Sequence, residues 1–424
     1  MLKKHLGICI FVVLMHVFFC QADINADINI VGPINEINSL SRHTYAFLDC
    51  LQKNMPVNLI ATDETQNAIN LNNPQHLENL VNSKFTLTGI TFFTGMLHVK
   101  WQEYLNIPNA SIINAAYSVT ERSEIHPEWI EKFNKYFDAV IVADEWLVNV
   151  YKSCGVTKPI FVLPLTVNIE NLLNKQPKKS PSKIFTFGCS AGFWDRKNHK
   201  RLIQAFVLAF KNNPNVRLKI HGRYGENFNK IARLIVQLKA TNILLMKKMF
   251  TRKEYEDFIG ALDCYILISK GEGFSITPRE ALAAGIPCIL SNNTAHKTIC
   301  NTSYVSSVPA EIKERSYTIL DKLKLGYDFN CKINDIQNAL QKVYKNYEYN
   351  LELAIKGREW VKQYLPENVQ HRYMNFAKPK LVILGPDNLI TDEYLMTNSE
   401  TLYKKYQQLC KNSETIFKKI LTNP

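Results

Sequence analysis

Two doubly wound α/β domains are what this sequence predicts, and three observations carry the prediction. Short apolar runs rich in β-branched residues alternate with helical patterns along most of the chain. Glycine-bearing loops follow several of those runs, as at Gly188 to Asn198 and Gly271 to Ser275. A length of 424 residues leaves room for two domains plus extensions. Composition agrees, since 46% hydrophobic residues is the content of a packed globular protein and no tract beyond the leader is biased enough to suggest disorder.

Residues 1–22 read as a signal peptide or signal-anchor. Met1-Leu2-Lys3-Lys4-His5 is basic, Leu6 to Cys20 is apolar, and Cys20-Gln21-Ala22 supplies small residues before Asp23. The apolar run, interrupted by His16, is short for a membrane span. The expected location is therefore exported or membrane-anchored; the alternative is a cytoplasmic protein whose start codon is misassigned.

A first domain is expected over 23–164, with strands at Ile28 to Gly32, Val57 to Ala61, Ile90 to Phe93, Ser111 to Tyr117, Asp138 to Ala143 and Ile160 to Leu163. The loop Asn35 to Ser39 leads to a helix carrying Leu40, Tyr45, Phe47, Leu48 and Leu51, and a second helix runs from His126-Pro127 to Phe137. Residues 165–182, rich in Lys, Pro and Ser, form a linker. The second domain, 183–345, alternates strands at Ile184 to Gly188, Val216 to Gly222, Ile243 to Met246, Cys264 to Ile268 and Ile286 to Leu290 with helices. Those helices begin after Asn198, at Ile231 (to Ala240), at Tyr255 (to Leu262) and near Pro278. A helical tail fills 346–424: a long amphipathic helix with Leu351, Leu353, Ile355, Trp360, Val361 and Tyr364, an extra strand at Leu381 to Gly385, and a helical region from Tyr394 to Leu421.

The most informative segment is Ser269 to Ser291, which reads strand, loop, helix, strand and places Glu272 on the loop and Glu280 within about the first helical turn. Pro278 suits a first turn, Arg279 to Ala284 are good helix formers, and Gly285 stands where a C-terminal glycine belongs. In open α/β sheets such a loop lies at the carboxyl edge, where ligands bind.

With Gly273-Phe274 between the glutamates and Ala283-Ala284-Gly285-Ile286-Pro287 behind them, the segment resembles the donor-site motif of retaining glycosyltransferases of GT-B architecture, glycosyltransferase family 4. That architecture is two Rossmann-like doubly wound domains facing across a cleft, with a terminal helix that crosses back to the first. The resemblance covers roughly Ile28 to Tyr364. It implies that Glu272 contacts the transferred sugar, that Glu280 contacts the ribose hydroxyls, and that the amides of Gly273, Phe274, Ser275 and Ile276 face a diphosphate at the positive end of the helix. Ser275 stands where many family members have a second glycine.

The loop Cys189 to Asn198 is similar to the family's first loop of the donor domain, and Lys197, with Arg196 beside it, matches the cation that neutralises the pyrophosphate. Cys189 occupies a place where the family often has arginine. The alternative is a solvated basic pair. His221, after a strand, is a further nucleotide-side candidate against a structural reading. On the acceptor side the resemblance points to Gly32 and Glu121, with Ser39, Ser41 and Arg42 as further contacts. A carboxylate paired with Arg122 on a surface loop would explain Glu121 equally.

The +13 formal charge fits surface lysine or attraction to anionic membranes and phosphorylated substrates. No basic stripe is interleaved with aromatics, which argues against nucleic acid as a partner. The 10 cysteines are scattered singly without a metal-ligand cluster and read as buried thiols rather than disulfides. No Asp-x-Asp motif stands in a matching place, so no metal or other cofactor is expected.

Two functions follow. The first is a hexosyltransferase-type retaining enzyme that moves a sugar from a nucleotide-sugar to a lipid, glycan or protein acceptor, with peripheral membrane contact as an option. The second is an exported GT-B-like protein that binds a sugar or nucleotide without catalysis. Export favours the second, because nucleotide-sugars are made in the cytoplasm; the glutamate pair favours the first.

Overall fold

The computed structural model describes residues 27–34, 40–62, 87–94, 109–317 and 324–377, with short stretches at 382–383, 389–390, 400–402 and 404–409. The leader and the loop Asn35 to Ser39 lie outside the described residues.

The first lobe holds a parallel sheet of β1 (Ile28–Gly32), β2 (Val57–Ala61), β3 (Ile90–Phe93), β4 (Ile113–Tyr117), β5 (Ala139–Val142) and β6 (Ile160–Val162), in the order β2-β1-β3-β4-β5-β6. Its helices are α1 (Ser41–Leu51), α2 (Pro127–Tyr136) and α3 (Glu145–Ser153). β1, β3 and β5 are buried along their whole length, which is why they read as mainly apolar runs instead of alternating ones, with Asn29 and Thr91 as buried polar members. From α1, Phe47 packs against the rings of Phe92 at 4.6 Å and Tyr117 at 5.5 Å.

The second lobe repeats the plan. After α4 (Glu170–Asn174), a parallel sheet of β7 (Phe185–Ser190), β8 (Val216–Gly222), β9 (Ile243–Lys247), β10 (Cys264–Leu267), β11 (Cys288–Asn292) and β12 (Ser306–Pro309) takes the order β12-β11-β10-β7-β8-β9. Its helices are α5 (His199–Phe210), α6 (Phe228–Gln237), α7 (Arg252–Gly260), α8 (Ile276–Ala283) and α9 (His296–Cys300). An antiparallel hairpin, β13 (Ile312–Tyr317) with β14 (Lys324–Asn330), precedes α10 (Ile333–Lys345), α11 (Tyr347–Val361) and α12 (Pro366–Ala377). Two doubly wound lobes are thus present, the fold the sequence predicts.

Local differences have identifiable causes. α7 starts at Arg252 and not Tyr255 because Thr251 and Glu254 form a reciprocal capping box, two polar residues ahead of the apolar periodicity. α6 likewise begins at Phe228 and ends at Gln237, earlier than Ile231 to Ala240. The linker contains a short helix, α4. α11 buries Tyr347, Asn350, Ala354, Gly357 and Val361, whereas Ile355 is exposed. Its contact face is set by close approach to α8, where a Cβ on Gly357 would meet Leu282 at 2.7 Å, and not by its bulkiest side chains. α12 returns to the first lobe: Tyr373 Oη donates to the Pro164 carbonyl at 2.9 Å, and Phe376 packs on Phe161 at 4.9 Å.

The residues Met1–Ala26 and Lys378–Pro424 form a unit of their own. Its described part has β15 (Val382–Ile383) paired antiparallel with β16 (Leu389–Ile390), so the expected strand at Leu381 to Gly385 is half of a small hairpin. Residues 400–402 and 404–409, within the expected helical region, are helical. Seven described cysteines are free, and six of them, Cys50, Cys189, Cys264, Cys288, Cys300 and Cys331, are buried.

Asp263, fully buried ahead of β10, ties the linker to β7. It accepts from Thr186 N at 2.8 Å, from Ser182 N and Oγ at 2.9 Å, and from Lys178 Nζ at 2.8 Å. Asp263→Ala leaves the buried Thr186 amide without its acceptor and strips a charge-assisted set. It is expected to cost about 3 kcal/mol, read as a lowered urea midpoint at unchanged slope.

Candidate active site

In the second sheet the strand order reverses between β7 and β10, and in open α/β sheets the crevice beyond such a reversal is where ligands sit. The loops leaving these two strands carry Arg196-Lys197 and Glu272 respectively. Both open onto a cleft of about 480 Å³ whose opposite wall is the first lobe.

The β7 loop ends in a 3₁₀ turn, Asp195–Lys197, stopped by Asn198 in a left-handed conformation at φ 59°. The Asn198 side chain donates to Asn330 Oδ1 of β14 at 2.8 Å, and Lys270 N donates to the Arg196 carbonyl at 2.8 Å, so the turn is held from two sides. From it Lys197 Nζ reaches Glu272 Oε1 at 2.6 Å, and Arg196 Nη1 lies 3.4 Å from the same oxygen. Burial would push the Glu272 carboxyl up; the Lys197 ammonium and Arg196 guanidinium beside it override that and hold it at about 2. Burial in turn draws the Lys197 ammonium down against the pull of Glu272. This is an ion pair of a partly exposed lysine with a buried carboxylate, not a solvated basic pair. Cys189 is inside β7 with its thiol pushed up to about 12 by burial, so it offers the cleft no cation.

Glu280 is the fifth residue of α8, at the start of its second turn. Its Oε1 accepts from Arg252 Nη1 at 2.9 Å and its Oε2 from Tyr255 Oη at 2.6 Å. α8 closes as expected: Gly285 takes φ +70°, its N–H donates to the Leu282 carbonyl at 2.8 Å, and Ile286 N donates to the Ala281 carbonyl at 3.0 Å. Gly273, Phe274, Ser275 and Ile276 all line the cleft, and no acceptor among the described residues takes their amides. Ser275 adopts φ +68°, ψ 77°, the conformation a glycine supplies more cheaply. Its hydroxyl donates to His296 Nε2 at 2.8 Å, and His296 Nδ1 donates to the Ser291 carbonyl at 3.1 Å. That chain of bonds offsets the backbone strain.

His221 stacks on Phe250 at 3.9 Å at the cleft wall. Its Nε2 donates to the Lys248 carbonyl at 2.9 Å, which leaves Nδ1 to accept from the Ser190 hydroxyl at 2.9 Å. The ring is a neutral, fixed platform, and burial lowers its affinity for a proton.

On the first lobe, Glu121 faces the cleft and accepts from Arg196 Nη2 at 2.9 Å. Its partner is not Arg122, whose guanidinium instead reaches Ser316 Oγ and the Tyr317 carbonyl of the hairpin. Gly32 is enclosed by the Thr44 and Thr94 side chains and does not line the cleft. Arg42 lines it; Ser41 is buried and does not; Ser39 lies outside the described residues. Gly271 and Gly273 let the donor loop meet the first lobe, since a Cβ on either would collide with the Glu121 carbonyl or the Val119 side chain. Sequence reasoning missed His43, Arg252, Tyr255, Arg279 and His296. The capping box ahead of α7 was a legible signal for Arg252 and Tyr255; nothing local marked the others.

The two lobes and their facing sheet edges define a GT-B fold. Residues 170–306 match the family model described as glycosyl transferases group 1, so the second lobe carries such a domain. Over 194 residues the chain is 26% identical to the UDP-N-acetylglucosamine--peptide N-acetylglucosaminyltransferase GtfA subunit of Streptococcus parasanguinis, an overlap of 45% of this chain and 33% of that protein. The chain therefore matches about a third of that curated relative's length. Among solved structures, sucrose-phosphate synthase from Thermosynechococcus elongatus superposes with a TM-score of 0.59 at 13% identity, covering 82% of this chain and 98% of that one. Anabaena HepE in complex with UDP and glucose does so at 0.57 and 11%, with the same coverage of 82% and 98%.

The Glu272 pair makes stability depend on acid. Its folded value of about 2 lies below the ordinary 4.5, so the unfolded chain binds more protons between them. The contribution is complete above pH 4.5 and is lost as pH falls toward 2. Glu272→Gln is expected to flatten the fall of unfolding free energy across that window by one proton's worth of slope, measured by urea titration at a series of pH values.

Proposed function

We propose that this protein is a retaining glycosyltransferase of the family 4 type that transfers a hexose-type sugar from a nucleotide-sugar to a hydroxyl acceptor. The observation that carries the reading is the Lys197 to Glu272 pair at 2.6 Å beside the amides of Gly273 to Ile276, which have no acceptor among the described residues. A diphosphate needs oriented N–H donors and a cation; a sugar needs fixed acceptors for its hydroxyls. Both sets converge here, with Glu280 and His221 further along the same wall for the ribose and base. The acceptor enters from the first lobe, past Glu121. UDP-N-acetylglucosamine is the first donor to test, because the relatives are named for it.

In this mechanism the bond from the anomeric carbon to the diphosphate oxygen breaks as the acceptor oxygen bonds to the same face. The acceptor proton passes to the departing phosphate oxygen, so no enzyme base is consumed. Lys197, Arg196 and the amides stabilise the charge that develops on the diphosphate, and Glu272 fixes the sugar. We keep the metal-independent reading as part of this proposal, since two protein cations already face the leaving group. The leader reading of residues 1–22 adds export or membrane anchorage to it, which amino-terminal sequencing of the mature protein tests.

Release of UDP from UDP-N-acetylglucosamine, alone and with glycan or peptide acceptors, is expected for the wild type and expected to survive EDTA. Lys197→Ala is expected to lower kcat by about two orders of magnitude or more. Near wild-type turnover in that variant rejects the mechanism. Tight nucleotide-sugar binding without turnover would support the second reading, a binding module, which the burial of Cys189 in place of an arginine favours.

A further inference from the structure

Arg279, one residue before Glu280, is among the largest fully buried side chains of the chain. Its guanidinium lies 3.9 Å from the Phe274 ring centre and 4.5 Å from that of Tyr364. Nη1 donates to the carbonyls of Phe274 and, at 3.0 Å, of Ser275; Nη2 donates to Tyr364 Oη at 3.3 Å. Nη2 also lies 3.9 Å from Asp144 of the first lobe, while Nε has no acceptor. Asp144 accepts from Trp146 N at the head of α3 and from Thr298 Oγ1 of the second lobe at 2.9 Å.

A buried guanidinium with an unused N–H is costly, and an apolar side chain of similar volume usually serves packing as well or better. What an apolar side chain cannot do is hold two consecutive carbonyls. In a trans peptide the C=O and the following N–H point in opposite directions, and no described peptide here is cis. With the Phe274 and Ser275 carbonyls drawn toward Arg279, the N–H groups of Ser275 and Ile276 are turned the other way. Both residues line the cleft, and neither amide has an acceptor among the described residues.

We propose that Arg279 is a positioning residue that aims the Ser275 and Ile276 amides at the diphosphate of the donor and links that orientation to first-lobe contact through Asp144. The proposal rests on the nucleotide-sugar reading of this cleft for its ligand, not for its geometry. Arginine suits the task because its planar fork serves two carbonyls while its faces lie against aromatic rings; a lysine ammonium is a point donor and cannot do both.

The test uses the full chain as wild type, Arg279→Leu and Arg279→Lys, with calorimetric affinities for UDP and for uridine. Arg279→Leu keeps the packing, and Arg279→Lys keeps the charge should the apolar variant fold poorly. Expected in both is a loss of affinity for UDP of about tenfold or more, with uridine affinity and thermal midpoint near wild type. Loss of the diphosphate increment alone separates positioning from a general disturbance, which would weaken both ligands alike. UDP affinity unchanged in both variants, or UDP and uridine weakened equally, overturns the role. A second reading needs no ligand: hydrogen–deuterium exchange in the peptide from Gly271 to Ala283 is expected to accelerate in the variants, and unchanged exchange also overturns it. Should the wild type bind neither uridine nor UDP, the proposed function falls, and the exchange comparison still decides the role of Arg279.

Discussion

Two opposite charges held together at the cleft wall, a partly exposed Lys197 and a buried Glu272, are what the candidate site depends on, and sheet topology makes their meeting unavoidable. β7 and β10 are neighbours in space but begin 79 residues apart, at Phe185 and Cys264, with the units of β8 and β9 between them in the chain. At that reversal the helices after β7 and after β10 leave toward opposite faces of the sheet, so the two loops stand apart from the helices and border an open crevice. A cation on one loop and a carboxylate on the other then face each other with nothing between. Burial makes each charge expensive alone and the pair tolerable.

Much of this was legible because the signals are local. The Glu272 loop, α8 and its glycine stop are written in consecutive residues, and Gly285 takes the positive φ its place in the sequence demands. Parallel strands buried on both faces announce themselves as apolar runs. What was not legible is what the chain brings together from a distance. Arg196 pairs with Glu121 from the other lobe, and Arg252 with Glu280 from the next helix, 28 residues on; neither partner has a code in its own neighbourhood. The hairpin β13–β14 was missed for a related reason. Its first strand carries Lys313, Glu314 and Arg315, which break the apolar pattern: Glu314 pairs with Lys270 outside the hairpin, while Lys313 and Arg315 lie over the Tyr327 ring of β14.

That hairpin contributes to how the site is framed. Through Phe329 N to the Lys270 carbonyl and Asn330 to Asn198 it braces both donor loops from behind. Through Ser123 to Tyr327 N and Glu124 to Gly326 N it holds the segment that carries Glu121. The two lobes are thus joined beside the cleft by backbone-directed bonds as well as by the return of α12. Gly271 and Gly273 complete the approach, because side chains there would hold the lobes apart.

The same geometry explains why the pair leaves both of its groups able to take further partners. The Lys197 ammonium has three donor protons and Glu272 four lone-pair positions, so a 2.6 Å contact uses one of each. In the proposed function, a diphosphate would offer the ammonium further acceptors of like charge to Glu272, and a sugar hydroxyl would offer Glu272 a further donor. The pair therefore holds the Glu272 carboxyl charged against the burial that would raise it, while burial still draws the Lys197 ammonium down against the pull of Glu272. Arg196 shares that function from the side, and its bond to Glu121 means that separating the lobes would remove a charge that neighbours the pair. Charge at the donor site and contact between lobes are in this way one electrostatic arrangement.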